Sequence, residues 1–279
     1  MMPALCNRIL RRSGFVLGLV ILLLFSLGPF LWILVTSLKS PAQIAARPPE
    51  LWPAFDFTFF RTVFAQHSFA RYALNSLVVA TCTTAAAITL GTLAAYPLAR
   101  LRVRFRRTLL ALVLMASMFP QVAIVGGIYR MLSAAGLLNT YPGLILPYTA
   151  LTLPLAIWIL VSFFREIPPE LEEAALVDGC GPLAALGRII LPVSAPAVFT
   201  AAILVFIYAW NEFFFALLIT TDPAVQTLPV GIAKFPGEYE IPWGDLAAAA
   251  VVATAPLVAM VLGLQRRIIR GLTAGAVKG

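Results

Sequence analysis

The stretch 165-REIPPELEEAALVDGCGPLAALGRIILP-192 sets a short, charged, helix-forming segment between two long apolar runs. Pro168 and Pro169 prepare a helix start, because proline at the first helical position gives up only an amide that has no partner there. Glu170, Glu172 and Glu173 fall in the first turn, where carboxylates favour the positive end of the helix dipole, and Ala174 and Ala175 carry the helix forward. Gly179 closes it by taking the left-handed conformation that a helix C-terminus often requires. A second short helix, about 183–190, follows and stops at Pro192. The spacing predicts a compact helix-turn-helix elbow, standing outside the apolar runs and suited to docking.

The rest of the chain is a different kind of sequence. With 61% hydrophobic and 11% charged residues, and a mean hydropathy of +0.94, it is too apolar for a soluble domain, in which roughly a quarter of residues are charged. A hydrocarbon core roughly 30 Å thick needs about 20 apolar helical residues. Charge-free runs cover 13–38, 72–99, 108–129, 131–164, 189–211 and 246–265. They predict an all-α, polytopic fold of six transmembrane helices, the fourth run holding an external connection and a helix over about 140–164. Helices rather than strands follow from run length and from the need to satisfy every backbone group within lipid. Neither a linker nor an internal repeat divides residues 1–279, so a single membrane domain is expected.

Orientation follows from the Lys and Arg distribution. With the N-terminus inside, cytoplasmic segments hold Arg8, Arg11, Arg12, Arg100, Arg102, Arg104, Arg106, Arg107, Arg165, Arg188, Arg266, Arg267, Arg270 and Lys278, and external ones hold Lys39, Arg47, Arg61, Arg71, Arg130 and Lys234. The 14 to 6 division of the 20 basic residues places both termini in the cytoplasm by the positive-inside rule. The formal charge of +8 is therefore a topology signal, and nucleic-acid binding is not expected. The first run exceeds the roughly 7–15-residue apolar core of a cleaved signal peptide, so it is read as a retained helix. Cys6 and Cys180 fall on the reducing side and Cys82 within a span, so no disulfide is expected.

Several motifs resemble a known family. Glu173-Ala174-Ala175, Asp178-Gly179 and Ile189-x-Leu191-Pro192 resemble the cytoplasmic EAA loop of inner-membrane permeases in binding-protein-dependent ABC importers. The likeness extends through YPLARLRVRFRR (96–107), SMFPQVAIVGGIYRMLSAAGLLNTYPGLILPY (117–148), AWNEFFFAL (209–217) and RGLTAGAVKG (270–279). Together they resemble the second permease subunit of carbohydrate importers of the maltose and trehalose type, with a permease core over about 72–270. The chain departs from the usual loop at Cys180, where alanine is common, and at Leu186, where an aromatic is frequent.

The resemblance implies that 165–192 is a coupling helix seated in a cleft of a separate ATPase. Glu173 would be the contact most exposed to the partner, Ala174 and Ala175 would permit close approach, and Gly179 would set the turn. Gly275, Val277 and Lys278 of the C-terminal tail would reach the same ATPase dimer. The implied assembly adds a homologous second permease, an extracytoplasmic sugar-binding protein and the lipid membrane, with ATP-Mg held by the ATPase subunits. A disaccharide such as trehalose or maltose is the expected cargo. Glycerol 3-phosphate import and ATP-independent carriage are the alternatives.

Chemistry leaves little trace in this chain. It contains neither a GxxxxGK[ST] phosphate loop nor an HExxH pair, and its one histidine is His67 in the first external segment, so no catalytic residue, metal or bound cofactor is expected. An intramembrane enzyme would need convergent catalytic groups, and only Glu212 offers one. Glu212, beside Trp210 and Asn211, is the one acid in an apolar run, which suggests either a pathway role or an acid reaching the outer interface. Asn75, Ser76, Tyr148 and Thr149 offer hydrogen bonds to a hydroxylated substrate or to neighbouring helices. Pro97, Pro120, Pro147, Pro154, Pro196 and Pro256 lie in or beside spans, where they bend helices.

Overall fold

A computed structural model describes residues 2–66, 68–101, 103–235 and 241–274, with side-chain detail over 14–65, 68–101, 103–235 and 241–264. The helices are α1 (Met2–Ser37), α2 (Pro41–Ala45), α3 (Thr58–Gln66), α4 (Phe69–Arg100), α5 (Arg106–Ser117), α6 (Gln121–Ala134) and α7 (Tyr141–Glu166). The elbow follows as α8 (Pro169–Val177), α9 (Pro182–Ala185), a π-helical turn over Leu186–Ile190, and α10 (Leu191–Val193). Then come α11 (Ala195–Asn211), α12 (Phe214–Ile219), α13 (Leu228–Ala233) and α14 (Trp243–Ala274).

Four stretches are long and apolar enough to cross a membrane: 14–37 of α1, α4, α7 and 243–264 of α14. The third and fifth predicted spans differ from expectation. Each is a bent pair, α5 with α6 at 89°, and the 182–193 segment with α11 at 82°. Pro120 explains the first bend, since proline drives the preceding residue out of the helical region, and α5 ends two residues before Phe119. At about 1.5 Å per residue, neither α5 nor α6 alone spans the hydrocarbon core. The second bend falls at Ser194, whose hydroxyl donates to the Ile190 carbonyl at 2.6 Å just before Pro196.

Pro192 does not stop the second elbow helix, contrary to the sequence expectation. The helix widens into a π turn, the Leu191 amide donates to Leu186, and Pro192 enters α10 early, where its missing N–H is not needed. The 212–242 connection also carries more order than a loop, since it contains α12 and α13.

The expected membrane domain packs as two compact units, 1–69 with 232–255, and 70–231 with 256–279. In the first, Ser40 and Gln43 form a capping box on α2, and the Lys39 ammonium lies 4.7 Å from the Trp32 ring centre. The Asp56 carboxylate accepts from the Thr58 hydroxyl at 2.6 Å and the Thr58 amide at 2.9 Å, opening α3. Those bonds hold the Asp56 pKa below its ordinary value.

In the second unit, α7 is the most enclosed span, half of its apolar window being buried against none for α1. A core of Tyr96, Leu98, Leu110, Leu160, Phe164 and Ile190 joins α4, α5, α7 and the elbow. Small residues allow the close approach of α4 to α7: a Cβ on Gly91 would lie 3.1 Å from that of Ala156. Lipid supplies no hydrophobic drive between helices, so such small-residue contacts carry their association.

Candidate functional site

The first elbow helix forms as its sequence predicts and ends in a complete Schellman motif. Gly179 has φ +83°, its amide donates to Leu176 at 3.1 Å, and the Cys180 amide donates to Ala175 at 2.9 Å. Only Glu172 and Ala175 of α8 are buried, whereas Glu173, Ala174, Asp178 and Gly179 are exposed. Beside them Val177 is 87% exposed, Leu176 46% and Leu171 43%, giving α8 an apolar outer surface. Of the other elbow residues singled out from sequence, Ile189 and Leu191 are half-buried and Pro192 is exposed.

The inner edge of α8 is locked to the membrane helices by one residue. The Glu172 Oε2 accepts from Arg100 Nε at 2.7 Å, and its Oε1 accepts from the Tyr96 hydroxyl at 2.5 Å. The same guanidinium donates through Nη1 to the Ile167 carbonyl at 2.7 Å and the Phe164 carbonyl at 3.4 Å, and through Nη2 to Pro168 at 3.4 Å. Arg100 thus satisfies the C-terminal carbonyls of α7 while gripping α8, a task suited to the rigid donor fork of arginine. Both side chains of the ion pair are buried, so neither charge is left to water. These bonds tie α4, the end of α7 and α8 together at one point.

Sequence reasoning singled out Glu173 and passed over Glu172, Tyr96 and Arg100. A usable signal existed: Tyr96 and Arg100 are four residues apart, hence on one helix face, and Glu172 and Ala175 three apart on another.

A second polar group sits at the break between α11 and α12. Glu212 is buried, and its two oxygens accept from the amides of Phe215 at 2.9 Å and Ala216 at 3.2 Å, capping α12. Tyr148 of α7 and Tyr208 of α11 both lie in the field of its carboxylate. The Tyr208 hydroxyl accepts from Gln121 Nε2 at 2.5 Å, while the Tyr148 hydroxyl is buried without a well-formed hydrogen bond. Asn211 is exposed and its amide donates to Ile207 at 2.8 Å.

Asn75 is placed elsewhere, as a structural tie. Its amide donates to the carbonyls of Ala224 at 3.0 Å and Gln226 at 2.8 Å, and its oxygen accepts from the Tyr141 hydroxyl at 2.8 Å. Ser76 accepts from the Leu228 amide at 2.8 Å. Both pin the segment before α13 to α4, the helix-bonding role weighed for them from sequence. Gly275, Val277 and Lys278, and likewise His67, lie outside the described residues.

Apolar helices long enough to cross a membrane, with an elbow bonded to two of them, put the described residues in the class of polytopic membrane proteins. Residues 87–274 match the family model described as the binding-protein-dependent transport system inner membrane component, and the chain belongs to that family. It is a permease, a pore subunit rather than an enzyme. A trehalose/maltose transport system permease protein of Thermococcus litoralis is 42% identical over 275 residues, covering 98% of this chain and 99% of that one. A sulfoquinovosyl glycerol transport system permease protein of Agrobacterium fabrum is also 42% identical, over 260 residues, 93% and 91% of the two chains. The fold matches a crystal structure of a bacterial ABC transporter that imports alginate with a TM-score of 0.79, at 22% identity, over 94% of this chain and 97% of that one.

Proposed function

We propose that this chain is one of two homologous permease subunits of an ATP-driven carbohydrate importer in the cytoplasmic membrane, with a glycoside such as trehalose or maltose as cargo. A dimeric ATPase on separate chains binds ATP-Mg, and an extracytoplasmic binding protein delivers the sugar. The elbow and both termini face the cytoplasm, a placement supported by the basic-residue division. The observation that carries the reading is the two-sided elbow, with Glu172 fixed inward and Glu173, Ala174 and Val177 free outward. An outer face that docks on an ATPase and an inner edge bonded to α4 and α7 transmits a rigid-body rotation into the spans. Glu212 and Tyr148, with Asn211 beside them, form the polar part of the sugar path. The buried Tyr148 hydroxyl, lying in the field of the Glu212 carboxylate, supports that assignment.

The relatives name different glycosides, which sets the experiment. Uptake into proteoliposomes holding the copurified complex is measured with and without ATP across trehalose, maltose, sulfoquinovosyl glycerol and glycerol 3-phosphate. ATP-dependent entry of one glycoside is the expected result; transport without nucleotide, or failure to copurify an ATPase, overturns the reading. The variant Gly179→Asp tests the elbow separately. A Cβ at Gly179 meets nothing within 4 Å, so its cost inside the chain is the left-handed backbone alone, on the order of 1 kcal/mol. The variant protein is expected at normal level in the membrane with uptake abolished, and near-normal uptake would remove the coupling role.

A further inference from the structure

Three arginines converge on a groove that the transport reading does not use. Arg106 and Arg107 open α5, and Arg165 stands in the last turn of α7, four residues before the elbow begins. Together with Leu110, Leu114 and Trp158 they line a groove of about 370 Å³, open to the outside. All three arginines are exposed, and no carboxylate among the described residues pairs with them. Topology explains basic residues at this end of the spans, but not why two from α5 meet one from α7, 58 positions away in sequence, around an apolar slot. Helix physics does not explain it either, since cations are disfavoured in the first turn of a helix such as α5.

The chemistry of the lining is graded along the helices. Trp158 lies seven residues before Arg165, about 10 Å further along α7, and Leu110 and Leu114 run the same way along α5. The arginine end offers planar guanidinium groups matched to phosphate oxygens, and the other end offers tryptophan and leucine surface suited to an acyl chain. Both helices belong to stretches apolar enough to lie in a bilayer. The geometry points to a binding site for an anionic phospholipid of the leaflet on the elbow side, its phosphate held by Arg106, Arg107 and Arg165 and a chain lying on Leu114 and Trp158. Basic pockets between membrane helices on the cytoplasmic side take such headgroups. Because Arg165 shares α7 with the carbonyls gripped by Arg100, an occupied groove braces the helix that carries the elbow.

The test uses the complex as purified in mild detergent. Native mass spectrometry after exposure to mixed phosphatidylglycerol and phosphatidylcholine is expected to show preferential retention of phosphatidylglycerol. The variants Arg165→Gln and Arg106→Gln/Arg107→Gln should each weaken that retention, by about five-fold per arginine removed. Arg104→Gln is the control, because Arg104 lies 5.2 Å from the Phe105 ring and not in the groove. Equal loss in the control, or no loss in the groove variants, overturns the proposal. A photoactivatable phosphatidylglycerol on the wild-type complex supplies a reading that needs no variant. Labelling of peptides holding Leu114 and Trp158 supports the site, and labelling spread evenly over the spans overturns it. Undiminished lipid retention with loss of the ATPase subunits in Arg165→Gln also overturns it, since the arginines would then serve a protein partner.

Discussion

Glu172 and Glu212 are both buried carboxylates near the two ends of α7, yet they are satisfied in opposite ways. Glu172 binds side chains 72 and 76 positions away, Arg100 and Tyr96. Glu212 binds backbone amides three and four residues ahead of itself. From Tyr148, in the field of Glu212, to Ile167, held by Arg100, is 19 residues, about 28 Å of helix. A long-range bond couples elements, so moving one moves the others; a local bond only shapes the chain where it stands. The end of α7 that meets the elbow is thereby tied to α4 and α8. The end near Glu212 is built to hold the junction between α11 and α12.

Breaking the long-range bond carries the largest effect. Glu172→Ala leaves Arg100 buried and uncompensated, a loss of about 3–5 kcal/mol. Thermal melting of the purified protein should fall accordingly, with uptake lost; an unchanged melting temperature would remove the coupling argument. The local bond is worth less. Glu212→Ala removes the cap of α12 for about 2 kcal/mol, whereas Glu212→Gln keeps one acceptor and should melt within about 1 kcal/mol of the wild type. Transport measured in the glutamine variant then isolates the charge. Unchanged uptake makes Glu212 a cap alone, and reduced uptake at near-normal stability gives it a place in the sugar path.

Glu173→Ala sharpens the contrast within the elbow itself. Being exposed, it should change stability by no more than about 0.5 kcal/mol, yet lower ATPase copurification or uptake. An effect confined to stability would reverse the assignment of inner and outer faces. The smallest effect belongs to Asp56, a local carboxylate on the surface. Its pKa is lowered from 3.8 by the Thr58 bonds, so its support of α3 is full above that value and is lost as pH falls through the lower, folded one. Asp56→Asn should leave neutral-pH uptake unchanged and flatten that acid-side dependence in a pH series of melting curves.

Much of this was legible in the residues. Pro168, Pro169 and Gly179 act locally, through fixed φ and left-handed freedom, and the elbow helix begins and ends where they place it. The long charge-free runs of α4 and α7 were equally readable, because length and apolarity are properties of one segment. The bends were less so. Hydropathy sums over a window and cannot see that Pro120 splits one apolar run into two helices at 89°. In sequence terms the Asn75 amide could bond either a substrate or a neighbouring helix, and the bonds it makes, to residues near 225, come from chain far ahead of it.

Residue order alone was enough for the membrane-spanning class, the long apolar helices, the first elbow helix with its proline start and glycine stop, and the family to which the chain belongs. These depend on composition and on interactions within a few residues. It took the packed chain to show that Glu172 rather than Glu173 ties the elbow to the spans, that Glu212 caps α12, and that Arg106, Arg107 and Arg165 share one groove. Such pairings are set by which faces meet when distant helices pack, and neighbouring glutamates that look alike in sequence stand about 100° apart around a helix.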